Sequence, residues 1–76
     1  MGTSPLQRRL ARVIRKHREA VGLSQEKLAE EAGIHRTYVS MIERGIGNPT
    51  LIVLADLAEA LDTTLSILAR EIEARD

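Results

Sequence analysis

The chain has no cysteine, phenylalanine or tryptophan, and Tyr38 is its single aromatic residue. Without thiols there is no disulfide framework, no thiolate metal site and no cysteine nucleophile. With one aromatic ring there is no stacking platform of the kind that single-strand and RNA binders use to hold bases. Two histidines do not make a multi-histidine cluster, so neither a metal nor another cofactor is expected. Strand signals are missing too, because no run alternates β-branched and polar residues. The longest wholly apolar stretch, Leu51 to Ala55, is far short of the roughly 20 residues of a membrane span, and the N-terminus has no apolar signal-peptide core. Leu6 also stands where a myristoylation signal wants Ser or Thr. The expectation is a soluble, cytoplasmic chain with no membrane partner.

What remains is short but globular. The 76 residues carry 43% hydrophobic and 29% charged side chains, the balance of a folding domain and not of a disordered one. A chain of this length is expected to form one domain, 1–76, with its core at about 5–72. Such a core is worth no more than ~3–5 kcal/mol, so self-association is the stabiliser left once disulfides and metals are excluded. Eleven basic and eleven acidic residues cancel to zero net charge, yet they are unevenly spread. Arg8, Arg9, Arg12, Arg15, Lys16 and Arg18 lie in an N-terminal stretch without a single acid. Residues 46–76 hold Asp56, Glu59, Asp62, Glu71, Glu73 and Asp76 against Arg70 and Arg75. The asymmetry gives a basic end and an acidic end, and a basic end is an electrostatic footprint for phosphates.

Apolar residues recur at spacings of three and four throughout, which predicts an all-α fold of five short helices. Ser4, Pro5 and Gln7 read as N-cap, first helical position and capping-box partner of a helix carrying Leu6, Leu10, Val13, Ile14, His17 and Val21 on one side and ending at Gly22. Ser24 opens a second helix, Gln25 to about Ala32, that buries Leu28, Ala29 and Ala32 and stops at Gly33. A third runs from His35 or Arg36 to Arg44 with Val39 and Ile42 inward. The glycine-containing connection between helices two and three is so short that they must cross steeply, as a helix-turn-helix unit. Thr50 caps a fourth helix with Leu51, Leu54, Leu57, Ala58 and Leu61 at helical spacing. After a turn at Asp62 and Thr63, Thr64 caps a fifth with Leu65, Leu68, Ala69 and Ile72, and the charged tail is expected to fray.

The ordered set Gly22, Ser24-Gln25, Leu28-Ala29, Ala32-Gly33, Ile42-Glu43-Arg44-Gly45 and Asn48-Pro49 resembles the Xre and λ-repressor-like helix-turn-helix family, and the likeness runs from about Leu6 to Leu68. The resemblance implies a compact five-helix bundle whose third helix lies in the major groove of double-stranded DNA, bound as a homodimer on a palindromic operator. Among members of this size it is most similar to controller proteins of restriction-modification systems and to small phage-type repressors.

Val39 and Ile42 point inward, so Arg36, Thr37, Ser40 and Met41 are the candidate base readers. Arg36 can fork onto guanine O6 and N7, Thr37 and Ser40 can exchange hydrogen bonds or meet a thymine methyl, and Met41 offers apolar contact. A solvated or phosphate-bound Arg36 and a packed Met41 are the plainer readings. Candidate phosphate contacts are Gln25, which by resemblance also braces the third helix, together with His35, Tyr38, Asn48, Arg15 and Arg12. For His35 a helix cap, for Tyr38 a scaffold contact, for Asn48 a turn role and for the arginines a solvated face stand as alternatives. By resemblance Arg18 and Glu43 form a partly buried ion pair joining helices one and three. His17 reads as a satisfied, half-buried histidine. Ile46, Ile52 and Ile67 replace residues that are commonly charged in the family, which points to a dimer interface or, failing that, to scattered surface isoleucines.

The sequence therefore favours a sequence-specific transcription regulator with double-stranded DNA and its own copy as partners, RNA polymerase as an additional candidate and no small-molecule effector. A helical protein-interaction adaptor or an antitoxin, acting mainly through a protein partner, is the alternative that zero net charge and the apolar C-terminal half support. An enzyme is not expected, since the serines lack a base-and-orienter set and no phosphate loop is present.

Overall fold

Among the described residues five helices follow one another: α1 Pro5–Val21, α2 Gln25–Ala32, α3 Arg36–Glu43, α4 Leu51–Ala60 and α5 Leu65–Glu73. The computed structural model describes residues 4–74, and among them there is no strand. The expected fraying of the charged tail falls partly on Arg75 and Asp76, outside the described residues; up to Glu73 the tail is helical.

Each helix starts where a side-chain oxygen or nitrogen can accept an otherwise orphaned backbone N–H. Ser4 Oγ accepts from the Gln7 N–H at 3.1 Å while Gln7 Oε1 accepts from the Ser4 N–H at 3.0 Å, the reciprocal capping box. Ser24, Thr50 and Thr64 cap α2, α4 and α5 with their hydroxyls. His35 caps α3 through Nδ1, which accepts from the Thr37 N–H at 3.1 Å. The turn between α2 and α3 depends on Gly33 at φ 73°, a left-handed conformation that costs an L-residue about 1–2 kcal/mol.

One residue or more from every helix meets in the centre. Ile14, Leu28, Val39, Ile42, Leu57, Leu61 and Leu68 are at most 1% exposed. α2 packs on α3 and α4, α1 packs on α3 and α5, and α4 closes against α5. The expected inward faces are too wide in four places: Leu6 is 51%, Val21 44% and Leu51 68% exposed, and Ala69 on α5 is exposed as well. Their spacing is helical, but Leu6 and Val21 lie near the two ends of α1 and Leu51 is the first residue of α4, where no further element covers the face. His17 is partly buried, and its Nε2–H donates to Glu71 Oε1 at 2.8 Å, linking α1 to α5.

Candidate nucleic-acid interface

α3 is held from behind and open in front. Val39 and Ile42 fix its inner face, whereas Arg36 and Thr37 are exposed and Ser40 and Met41 half-buried. Over eight residues the 100° step of a helix sets those four around the side opposite the core. Arg36 enters no ion pair with a described residue, and it shares a shallow polar depression with Arg18, Ser24, Gln25 and Glu26 at the start of α2.

The orientation of α3 is set by Glu43. Its side chain is fully buried, which on its own would be costly, and three donors from two other helices surround it. Arg18 forks onto it, Nε to Oε2 at 2.6 Å and Nη2 to Oε1 at 3.0 Å, while Gln25 Nε2 donates to Oε1 at 3.0 Å and Arg15 Nε at 3.4 Å. Burial pushes the Glu43 carboxyl up, but the hydrogen bonds from Arg18, Gln25 and Arg15 and the Arg18 charge outweigh it and hold the group below its ordinary range. Arg18 also donates to the Leu23 carbonyl at 2.9 Å, so the hub reaches the start of α2 as well. The ion pair read from Arg18 and Glu43 is thus a four-residue hub, in which Gln25 and Arg15 take part beside their reading as phosphate contacts.

The remaining candidates divide. Because Nδ1 of His35 accepts a hydrogen bond, the neutral ring carries its proton on Nε2, which leaves a donor at the exposed N-terminus of α3. The Tyr38 hydroxyl donates to the Asn48 carbonyl at 3.3 Å, which places the ring against the loop after α3. Asn48 itself is exposed on that loop. Arg12 is exposed too, one helical turn before Arg15, and it lines a groove with Arg9, Lys16 and Glu71 on the α5 side of α1. The stretch of α1 that looked uniformly basic is therefore split between α3, where Arg15 and Arg18 are engaged, and α5, where Lys16 pairs with Glu71 at 3.2 Å.

Ile46, Ile52 and Ile67 are all exposed, at 46%, 74% and 38%, yet none of them lines a strongly apolar groove formed by the described residues. That groove runs between α4 and α5 and is walled by Leu6, Leu51, Leu54, Leu65, Ala69 and Ile72. These leucines share the helical spacing of the core residues, and no local signal in the sequence separates the two cases. Among the described residues there is no cluster of metal-ligating side chains, and no helix is long and apolar enough to cross a membrane.

The helix-turn-helix family model matches residues 14–68. The chain is 46% identical over 63 residues to the control protein C.SmaI of Serratia marcescens, which covers 82% of this chain and 75% of that protein. The crystal structure of the restriction-modification controller protein C.AhdI from Aeromonas hydrophila superposes with a TM-score of 0.79 at 40% identity, over 82% of this chain and 94% of that one. A tyrosine-to-phenylalanine mutant of the controller protein C.Esp1396I superposes with a TM-score of 0.83 at 32% identity, over 99% and 100%. Crystal structures of C.Esp1396I also carry an arginine or a threonine replaced by alanine, and the three substituted positions are consecutive. Arg36, Thr37 and Tyr38 form the same ordered triplet in this sequence. With more than half of its length matched, and with α2 and α3 as the paired helices, the chain belongs to the helix-turn-helix family.

Proposed function

We propose that the chain is a sequence-specific, double-stranded DNA-binding transcription regulator of the restriction-modification controller type, with α3 in the major groove. The observation that carries this reading is the two-sidedness of α3. Its inner face and the Glu43 carboxylate at its end are locked to α1 and α2, while Arg36 and Thr37 are exposed and Ser40 and Met41 half-buried on the side opposite the core, the side a recognition helix turns to the groove. Arg36 reads a guanine. Thr37, Ser40 and Met41 read neighbouring bases, and Gln25, His35 and Asn48 position the backbone. Arg15 supplies positive potential beside α3, Arg12 serves at longer range, and Tyr38 contributes through the loop it supports.

Two copies bind a palindromic operator, and the α4–α5 groove with Leu51, flanked by Ile52, provides the contact between them. Ile46 and Ile67, exposed but outside the groove, are the alternative surfaces for that contact. The whole chain acts as one domain in the cytoplasm without an effector, cofactor or catalytic activity, and its own concentration, with RNA polymerase as a further partner, sets the response. The apolar groove also supports the adaptor or antitoxin reading, which needs no DNA.

Selection of duplexes from a random pool at two salt concentrations separates the two. The regulator enriches a two-fold symmetric motif whose affinity falls with salt at a log–log slope of about −0.9 per phosphate neutralised. If nothing is enriched at low salt, the recognition-helix reading fails and the groove becomes a protein-binding site.

A further inference from the structure

We infer that Gln7 is a positioning residue for DNA contact: its side-chain amide, aimed by the cap of α1, ties down the loop 45–49 that follows α3. The inference rests on the reading of the chain as a DNA-binding regulator. Gln7 Oε1 is held by the Ser4 N–H at 3.0 Å, and Nε2 donates to the Gly47 carbonyl at 2.9 Å, forty positions along the chain. One amide therefore closes a helix cap with its oxygen and clamps a distant loop with its nitrogen, and the first bond restricts the rotamers available for the second.

The loop is ready for such a clamp. Gly47 is buried, and a Cβ on it would lie 2.8 Å from Ile42 Cγ1 and 2.9 Å from the Ile42 backbone, so only glycine lets the chain press this closely on the last turn of α3. The N–H groups of Ile46 and Gly47 both donate to the Met41 carbonyl at 3.1 Å. The Gly47 residue is thus bonded to α3 through its N–H and to α1 through its carbonyl. Asn48, exposed on the next position, inherits a fixed place relative to Arg36 and Thr37. Backbone contact and base contact are then made by one rigid body, and no loop ordering subtracts from the affinity.

Three variants isolate the bond. Gln7→Glu keeps the acceptor that the cap needs and removes the donor to Gly47. Gln7→Met removes both without adding charge, and Ser4→Ala disrupts the cap while leaving the Gln7 donor in place. Binding to the selected duplex, amide exchange at Ile46 and Gly47, and thermal melting are measured for each. Both Gln7 variants are expected to bind about tenfold more weakly and to exchange the two loop amides about tenfold faster. Ser4→Ala is expected to melt at a lower temperature with its affinity within about twofold of the parent. Unchanged binding by Gln7→Met overturns the inference, as does a loss confined to Gln7→Glu, which is a charge effect. If the unaltered chain enriches no duplex, the DNA reading falls and takes this role with it; if it binds as well as Gln7→Met, only the role of Gln7 falls.

Discussion

Arg36 concentrates the specificity of the proposed interface because of what surrounds it as much as what it is. A guanidinium that enters no ion pair with a described residue has both edges of its fork available, and a bidentate pair with guanine discriminates by about 1–3 kcal/mol. Arg36→Ala is expected to flatten the preference at one base pair in each half-site while the melting temperature stays unchanged, since the residue is exposed. Motif selection with the variant measures this directly, and an unaltered base preference removes Arg36 from the reading set. The contrast with Arg15 is instructive: its Nε lies 3.4 Å from Glu43, so truncation there disturbs the scaffold and the surface together. The residue types alone suggest a base reader at Arg36 and a phosphate contact at Arg15, but only the fold distinguishes an arginine without an ion-pair partner among the described residues from one that is engaged with a buried carboxylate.

At the level of the helices, the hub at Glu43 makes α1, α2 and α3 one body. Glu43→Gln leaves Arg18, whose side chain is only 14% exposed, without its counter-charge; removal of one partner from a buried pair is expected to cost about 3 kcal/mol, a large share of the ~3–5 kcal/mol a core of this size supplies. The pH dependence follows from the direction of the shift. The carboxyl is held below 4.5 in the folded chain, so its contribution is complete at neutral pH and is lost as pH falls through the folded value. Glu71 behaves alike, lowered first by the hydrogen bond from His17. Thermal melts from about pH 7 to about pH 3 are therefore expected to show an acid limb that is shallower in Glu43→Gln. An identical limb in both would mean that other carboxylates carry it. The helix boundaries were legible in the sequence because caps are local: Ser4, Ser24, Thr50 and Thr64 each answer to an N–H three residues on. The faces were legible only in part. Leu51 and Leu57 obey the same periodicity, and what buries one and exposes the other is the presence of a neighbouring helix, a fact no window of sequence contains.

For the whole molecule the proposed contact between two copies rests on the α4–α5 groove, and the energetics make such a dimer a marginal one. Leu6, Leu51 and Ile52 are half to three-quarters exposed. In a two-fold interface each is counted twice, so their burial contributes on the order of 6–12 kcal/mol, against roughly 4–15 kcal/mol for the lost freedom of association. A dimer balanced this closely responds to concentration, and so does the stability of a small domain that gains by forming it. Leu51→Asp tests the face without harming the fold. The residue is 68% exposed and opens α4, where an acidic side chain sits favourably against the helix N-terminus, so the monomer is expected to keep its stability within about 0.5 kcal/mol. Sedimentation should show the parent passing from monomer to dimer with concentration and the variant remaining monomeric. On the selected duplex the variant should fill the two half-sites independently, since each copy keeps α3 and the Glu43 hub intact. A variant that still dimerises would move the contact off this groove, toward the surface around Ile46 or Ile67, while one that loses all DNA binding even at a single half-site would show that α4 positions α3 directly.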